Sequence, residues 1–240
     1  MKINIEKYNS LIKSAVELFW NTRNKQKDQQ SIKKIKDTGN RSAVTGGKQL
    51  DGFLNLLCKI AEDIGVPKDC IYVKSNHIPG YFRPTKDWDL LIISPNKKLI
   101  SVVELKSQVG SFGNNFNNRT EESLGSAIDF WTAFRENAYP NQSAPWVGYL
   151  MLVEKSEKST SPVRISEPHF NVFSEFKESS YMDRYKILCK KLMLERHYSQ
   201  SCLIWSKDDF SFGNVADEIS IESFLYSFIG HLMGQMKEFE

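Results

Sequence analysis

The sequence predicts an α/β protein in which a mixed central β-sheet is flanked by helices. Apolar and β-branched runs, which are typical of buried strands, occupy residues 88–93, 99–106, 146–153 and 201–205. Around these runs, apolar residues recur every three or four positions, as in amphipathic helices. Helices that alternate with buried strands indicate this fold class. The whole chain, residues 1–240, is expected to form one domain.

Five helices are expected from the apolar periodicity. They span residues 8–20, 50–64, 121–135, 183–198 and 221–239. The same periodicity places Leu11 on the buried side of the first helix and Ile128 on the buried side of the third. A short strand begins at Ile71, and residues 79–84 are expected to form a loop that leads into a β-hairpin.

Composition limits the class of protein but does not define a partner. The formal net charge of +3 neither requires nor excludes nucleic acid. The four cysteines show no C-x-x-C or zinc spacing, which favours reduced thiols. No window resembles a transmembrane span, and the N-terminus lacks the apolar stretch of a signal peptide. We therefore expect a cytoplasmic protein without a membrane partner.

The most informative feature is a predicted hairpin with charged residues at one end. Residues 94–98 contain a Pro-Asn turn signal between the two apolar runs. Counting back from the turn pairs Ser94 with Leu99 and places Asp89 opposite Glu104. Directly opposed residues share a face of the sheet and lie about 5 Å apart at Cβ. Lys106 falls on the same face as Glu104 because side chains alternate with a period of two.

Two opposed carboxylates beside an ammonium group are the residue types that a divalent-metal site requires. Such carboxylates repel each other unless a hard cation lies between them, and Mg²⁺ takes one or two carboxylates together with phosphate and water. Lys106 could orient the water or stabilise the transition state of phosphate hydrolysis. The alternative is an exposed strand end that carries an ordinary Glu-Lys salt bridge.

Residues 22–48 form a basic, polar segment that is suited to the phosphate backbone of DNA. The candidate DNA-binding residues of this segment are Lys33, Lys34, Arg41 and Lys48. An arm or flexible loop is the expected structure. The segment could instead be a solvated linker, or its lysines could cover the surface of a helix.

An asparagine-rich stretch follows the second strand of the hairpin and is expected to be a loop that reads a ligand. Its candidate base-reading residues are Asn114, Asn115, Asn117, Asn118 and Arg119. Asparagine can pair with adenine and arginine with guanine in the major groove. In the alternative interpretation, Asn118 or Thr120 caps the following helix and the other asparagines stabilise turns.

The hairpin resembles the PD-(D/E)-x-K nuclease signature, and the surrounding motifs resemble the XhoI family of type II restriction endonucleases. These motifs are AVTGGKQ at residues 43–49, PGYFRPTK at 79–86, and ELKSQVG at 104–110 running into FGNNFNNRTEE at 112–122. The resemblance extends from residue 19 to at least residue 151. Trp88 stands where the signature often has proline.

The resemblance implies a bacterial, Mg²⁺-dependent homodimer that cuts double-stranded DNA at the palindrome CTCGAG and leaves 5′ overhangs. It assigns catalysis to Asp89, Glu104 and Lys106, and metal binding to Asp89, Glu104 and the main-chain carbonyl of Leu105. Relatives of the fold often add a helical acid, for which Glu62 and Asp51 are candidates. A DNA methyltransferase is expected as the genetic partner of a restriction-modification system, without direct contact.

Two other functions are compatible with the residues themselves. A repair or junction nuclease of the same fold would respond to the shape of DNA and not to its sequence. A DNA-binding protein that cuts nothing would use its acids only structurally.

Overall fold

The protein is described here from a computed structural model, which covers residues 4–33 and 48–240, with the side chains of residues 27–33 excepted. Its centre is a six-stranded mixed sheet, and a separate pair of short strands lies beside it. The strands are β1 (Ile71–Tyr72), β2 (His77–Pro79), β3 (Thr85–Asp87), β4 (Leu90–Ile93), β5 (Leu99–Gln108), β6 (Trp146–Glu154), β7 (Gln200–Ser206) and β8 (Phe212–Asn214). The helices are α1 (Asn9–Lys33), α2 (Asp51–Asp63), α3 (Phe112–Arg135), α4 (Glu157–Thr160), α5 (Tyr181–Leu194) and α6 (Ile221–Gly234). The predicted fold class is confirmed.

The strand order in the large sheet is β1-β4-β5-β6-β7-β8. The central pairs β5–β6 and β6–β7 are parallel, whereas β4–β5 and the pairs at both edges are antiparallel. The short pair β2–β3 is antiparallel and includes only Pro79 of the predicted loop at 79–84. The loop prediction therefore holds only for the residues between these two strands.

The sheet separates two hydrophobic layers. On one face, α1, α2 and α6 contribute large buried side chains such as Trp20, Phe53 and Phe224. On the other face, α3 and α5 contribute Phe130 and Tyr185. The strands of the centre are buried on both faces, as their continuous apolar runs predict.

The hairpin register agrees with the prediction except next to the turn. Leu90 pairs with Val103, and continuing that register brings Asp89 opposite Glu104. At the turn, however, Ile93 pairs with Leu99, so the predicted pairing of Ser94 with Leu99 is wrong. A bulge between Ile92 and Ile93 absorbs this one-residue shift, and Lys97 adopts a left-handed backbone with φ of +60°.

The asparagine-rich segment is helical, which contradicts the predicted loop. Helix α3 begins at Phe112, nine residues before the predicted start. Phe112 stacks on Tyr181 at 5.8 Å between ring centroids, and Phe116 meets Tyr185 edge to face at 5.1 Å. This packing outweighs the weak helix propensity of glycine and asparagine. The predicted capping role is also wrong for Thr120, whose hydroxyl donates to the carbonyl of Phe116 inside the helix.

Helix α1 continues to Lys33, so the first part of the basic segment is helical and not an arm or loop. Lys34 and Arg41 lie outside the described residues. Two further predictions of burial are wrong, because Leu11 is 37% exposed and Ile128 is 46% exposed.

The last two predicted helices differ from the structure at their ends. The predicted helix 183–198 begins earlier, where Ser180 forms a capping box with Asp183, and ends earlier at Leu194. The C-terminal helix ends at Gly234, and a short 3-10 helix, Met236–Phe239, follows it.

Candidate active site

The end of the β4–β5 hairpin positions the first candidate acid. The backbone N–H of Asp89 donates to the carbonyl of Val103 at 3.1 Å, which extends the ladder by one residue beyond β4. The Asp89 carboxylate in turn accepts the N–H of Leu105 at 2.6 Å. Because the N–H and C=O of one strand residue point to the same side, the Leu105 carbonyl faces this edge as well.

Glu104 is the second candidate acid and is almost fully buried, with a side chain that is 3% exposed. Its Oε1 contacts the ammonium group of Lys106 at 2.7 Å and that of Lys86 at 3.3 Å. On its other oxygen, the hydroxyl of Tyr198 approaches Oε2 at 3.5 Å and donates to the carbonyl of Ser123 at 3.0 Å. Asp89, Glu104 and Lys106 are therefore brought together as predicted.

Burial and charge act differently on the two acids. Burial raises the pKa of Asp89 above its ordinary value, although the Leu105 N–H and the Lys106 charge oppose the shift. Burial alone would also raise the pKa of Glu104, but Lys106 and Lys86 hold it below the ordinary value. For Lys86, burial dominates and lowers the pKa of the ammonium group. A carboxylate as buried as Glu104 stays charged because two cations compensate for the water it has lost.

The donor set fits a hard divalent cation. Asp89 and Glu104 offer carboxylate oxygens, and the Leu105 carbonyl faces the edge where Asp89 lies. Within residues 4–33 and 48–240, no group of three or more His, Cys, Asp or Glu side chains is placed to hold a metal ion. Phosphate and water would therefore have to complete the coordination, as is usual for Mg²⁺.

Neither candidate for an additional acid is joined to this site by a contact among the described residues. Glu62 lies on α2 and pairs with Lys68 at 3.5 Å. Asp51 begins the same helix; burial raises its pKa, and the charge of Lys48 opposes that shift.

The candidate base-reading residues lie along the first half of α3. Asn114, Asn117 and Asn118 are exposed, and Asn115 is partly buried. Since residues three and four apart share a helix face, the three exposed amides lie on one side. Arg119 is engaged within the helix, where it donates to Glu122 at 2.6 Å. Of the basic candidates, Lys48 is exposed, while nothing is described of the Lys33 side chain.

Sequence reasoning missed Lys86 and Tyr198 at the site and Asp129 beneath a neighbouring loop. Lys86 lies on β3, and its ammonium group also rests 3.9 Å from the centre of the Trp88 ring. Tyr198 follows α5 and reaches Glu104 from 94 residues away. No local pattern marks these residues, although the motif at residues 79–86 contains Lys86.

Together, the mixed sheet between helical layers and the acid pair with its lysine are consistent with the restriction-endonuclease-like class of nuclease. A family model described as "Restriction endonuclease XhoI" matches residues 27–217. The chain belongs to the XhoI restriction endonuclease family and is a type II restriction enzyme, a site-specific deoxyribonuclease. Type II restriction endonucleases act on DNA and generally use divalent metal ions.

Three relatives are similar over most of the chain. Type II restriction enzyme BstVI of Geobacillus stearothermophilus is 51% identical over 207 residues, which is 82% of this chain and 92% of the relative. Type II restriction enzyme XhoI of Xanthomonas vasicola is 44% identical over an alignment that covers 81% of this chain and 79% of the relative. Type II restriction enzyme AbrI of Azospirillum brasilense is 42% identical over an alignment that covers 71% of this chain and 77% of the relative.

No solved structure matches the chain significantly. Among the helices that the structure describes, none is long and apolar enough to cross a membrane.

Proposed function

We propose that this enzyme makes Mg²⁺-dependent double-strand cuts at the palindrome CTCGAG and leaves 5′ overhangs. The observation that carries the metal-dependent part is the convergence of Asp89, Glu104 and Lys106 at one end of the hairpin. The palindrome is supported by the resemblance of the motifs and by the 44% identity to the enzyme named XhoI.

In the proposed reaction, a water oxygen attacks the phosphorus while the bond to the leaving deoxyribose oxygen breaks; the attacking water gives up one proton to solvent, and the leaving oxygen takes one up from solvent. Asp89, Glu104 and the Leu105 carbonyl would hold Mg²⁺, which would supply positive charge next to the phosphate and make water more acidic. Lys106 donates a hydrogen bond to the attacking water or to the phosphoryl oxygen that gains charge. Its pKa supports this role: burial acts to lower it, but Glu104 and Asp89 keep it above the ordinary value, so the ammonium group remains charged.

A palindromic site suits a homodimer in which each copy cuts one strand and reads one half-site. We assign base reading to the exposed amides of α3 and to Arg119, and phosphate contacts to Lys33, Lys34, Arg41 and Lys48. We also propose that the enzyme acts in the bacterial cytoplasm, where a cognate methyltransferase protects the host genome without touching this protein.

The decisive experiment is a digest of two plasmids that differ by a single CTCGAG site, in Mg²⁺ and in EDTA, followed by sequencing of the ends. Cuts at this site in Mg²⁺ alone, with 5′ overhangs, are expected. Cuts at another fixed site would disprove the palindrome but keep the enzyme class. Cleavage in EDTA would disprove the metal dependence. Sedimentation of the free enzyme tests the dimer, for which twice the chain mass is expected.

A further inference from the structure

The turn between β2 and β3 exposes two aromatic side chains to solvent. Tyr81 is 53% exposed and Phe82 is 70% exposed, and their rings meet edge to face at 5.2 Å between centroids. Arg83 follows directly, and its side chain is 45% exposed. We call residues 80–83 the aromatic tip. Contiguous exposed apolar surface of this kind often marks a site of interaction.

A single buried carboxylate holds this tip in place. Asp129, on α3, accepts the backbone N–H groups of Tyr81 and Phe82 at 2.8 Å each, and the Nε–H of Arg83 at 2.7 Å. The Asp129 side chain is 4% exposed. A Cβ at Gly80 would lie 2.4 Å from a carboxylate oxygen of Asp129, so this close approach requires glycine.

The aromatic tip is connected to the candidate active site by a short strand. Strand β3 leads from it to Lys86, whose ammonium group lies 3.3 Å from Glu104. Since the extended chain spans at most about 3.3–3.6 Å per residue, the three steps from Arg83 to Lys86 cover no more than about 11 Å. The tip is therefore within reach of DNA that is bound at the candidate active site.

We infer that the aromatic tip is a preorganised DNA contact beside the cleaved phosphate, in which the ring of Phe82, supported by that of Tyr81, inserts at a base step of the duplex. This inference rests on the proposed active site. Because the faces of bases in a duplex are stacked, a ring reaches them only by partly unstacking one step, as apolar wedges such as phenylalanine do in other DNA-binding proteins. The positive charge of Arg83 favours the same partner. Two rings cover much less than the ~800 Å² per partner of a stable protein interface, which argues against a second copy as the occupant.

The test compares Phe82→Ala with Tyr226→Ala by fluorescence anisotropy. The probe is a labelled duplex of the sequence that the wild-type enzyme cuts, bound in EDTA over a range of salt concentrations. Tyr226 is a matched control because it is 49% exposed and lies on α6, on the opposite face of the sheet. Phe82→Ala should weaken binding about tenfold, in the range of losing one stacked base. The salt dependence should stay unchanged, because no phosphate contact is lost.

A second variant tests the anchor. Asp129→Ala should weaken binding as Phe82→Ala does, and combining the two changes should add little, because both remove the same contact.

Several results would overturn the inference. Equal affinities of Phe82→Ala and the wild type would do so while the proposed function stood, and so would equal losses in Phe82→Ala and Tyr226→Ala. A Phe82→Ala enzyme that binds DNA normally but sediments at a lower mass would assign the tip to an interface between copies. Absence of any cutting by the wild type would overturn both proposals.

Discussion

At the scale of single residues, the candidate site holds a buried carboxylate whose negative charge is compensated by two largely buried lysines. Glu104 faces two ammonium groups, and both lysines are largely buried, at 24% exposed for Lys106 and 10% for Lys86. Buried charges are costly unless they are paired, and removal of one partner leaves the other uncompensated. Each charge should therefore have a distinct effect when it is removed.

The first prediction concerns the acid pair. Glu104→Gln should lower the cleavage rate by more than about 100-fold. Loss of a residue that only supports a metal ligand costs about 10- to 100-fold, and loss of a ligand itself should cost more. Binding of the duplex should persist, since no positive charge is lost. The measurement is a single-turnover digest together with anisotropy in EDTA. Glu62→Gln is the control and should cleave normally, because Glu62 pairs with Lys68 and makes no described contact with the site. Normal cleavage by Glu104→Gln would refute the assignment.

The second prediction compares the loss of stability when a buried lysine is replaced with the loss when a more exposed lysine is replaced. In EDTA, Lys86→Met should lower the free energy of unfolding by about 1–3 kcal/mol, because Glu104 loses a partner in a buried site. Lys98→Met is the matched change, since Lys98 pairs with Glu238 at 2.8 Å and is 36% exposed. It should cost less than about 1 kcal/mol. Denaturant titration measures both, and equal costs would show that burial of Lys86 is unimportant.

At the scale of elements, helix α3 has two roles, one as a candidate DNA-reading surface and one as the support of the aromatic tip. Its first turns present asparagines to solvent, and its last third carries Asp129, which holds the aromatic tip. Its inner face is fixed by Phe112, Phe116 and Phe130. Helix positions are geometrically more exact than loop positions, so a reading surface on α3 is better defined than the loop that the sequence suggests.

The third prediction is that Asn118→Ala reduces discrimination between DNA sequences without destabilising the protein, because alanine is the better helix former. The exposed amide of Asn118 makes no buried contact, but loss of a bidentate base contact should cost about 1–3 kcal/mol of specific binding. Anisotropy on the cut sequence and on a duplex with one base pair changed measures the difference. A uniform loss on both duplexes would make Asn118 a phosphate contact instead.

The fourth prediction follows from the pKa of Asp129. Although burial acts to raise this pKa, the hydrogen bonds from Arg83, Phe82 and Tyr81 hold it below the ordinary value. A lowered pKa in the folded state adds stability above about pH 4, which is lost as the pH falls further and the folded carboxylate takes up a proton.

Asp129→Asn should therefore be less stable than the wild type by about 1.5–3 kcal/mol at pH 7, and the gap should narrow below pH 4. Denaturant titration at several pH values provides the measurement. A gap that does not change with pH would show that the charge of Asp129 is irrelevant to stability.

At the scale of the whole molecule, the chain is nearly neutral, with a net charge of +3, so attraction to DNA must come from the distribution of charge. The basic segment at residues 22–48 is the clearest asymmetry. Its first part, residues 22–33, is the C-terminal part of α1, the helix whose Trp20 is fully buried in the hydrophobic core.

The fifth prediction is that replacing Lys33, Lys34 and Arg41 with glutamine weakens binding to all DNA sequences alike. Each lost phosphate contact should reduce the slope of log affinity against log salt by about 0.9. Anisotropy at several salt concentrations, on the cut duplex and on a scrambled one, measures this slope. An unchanged slope would show that these residues make no phosphate contact and belong to a solvated segment.

The sequence by itself determined the fold class, the hairpin and the placement of Asp89 opposite Glu104. These features depend on local patterns, namely period-two alternation and a turn signal between two apolar runs. Family motifs added the class of enzyme, which the relatives confirm.

The tertiary structure decided what joins residues that are distant in the chain. Lys86 meets Glu104 across 18 residues, and Asp129 reaches Tyr81 across 48. The early start of α3 also depends on aromatic packing against α5. The low helix propensities of glycine and asparagine do not predict a helix there. Such contacts follow from the packing of whole elements around the sheet, and this is why the local sequence pattern could not reveal them.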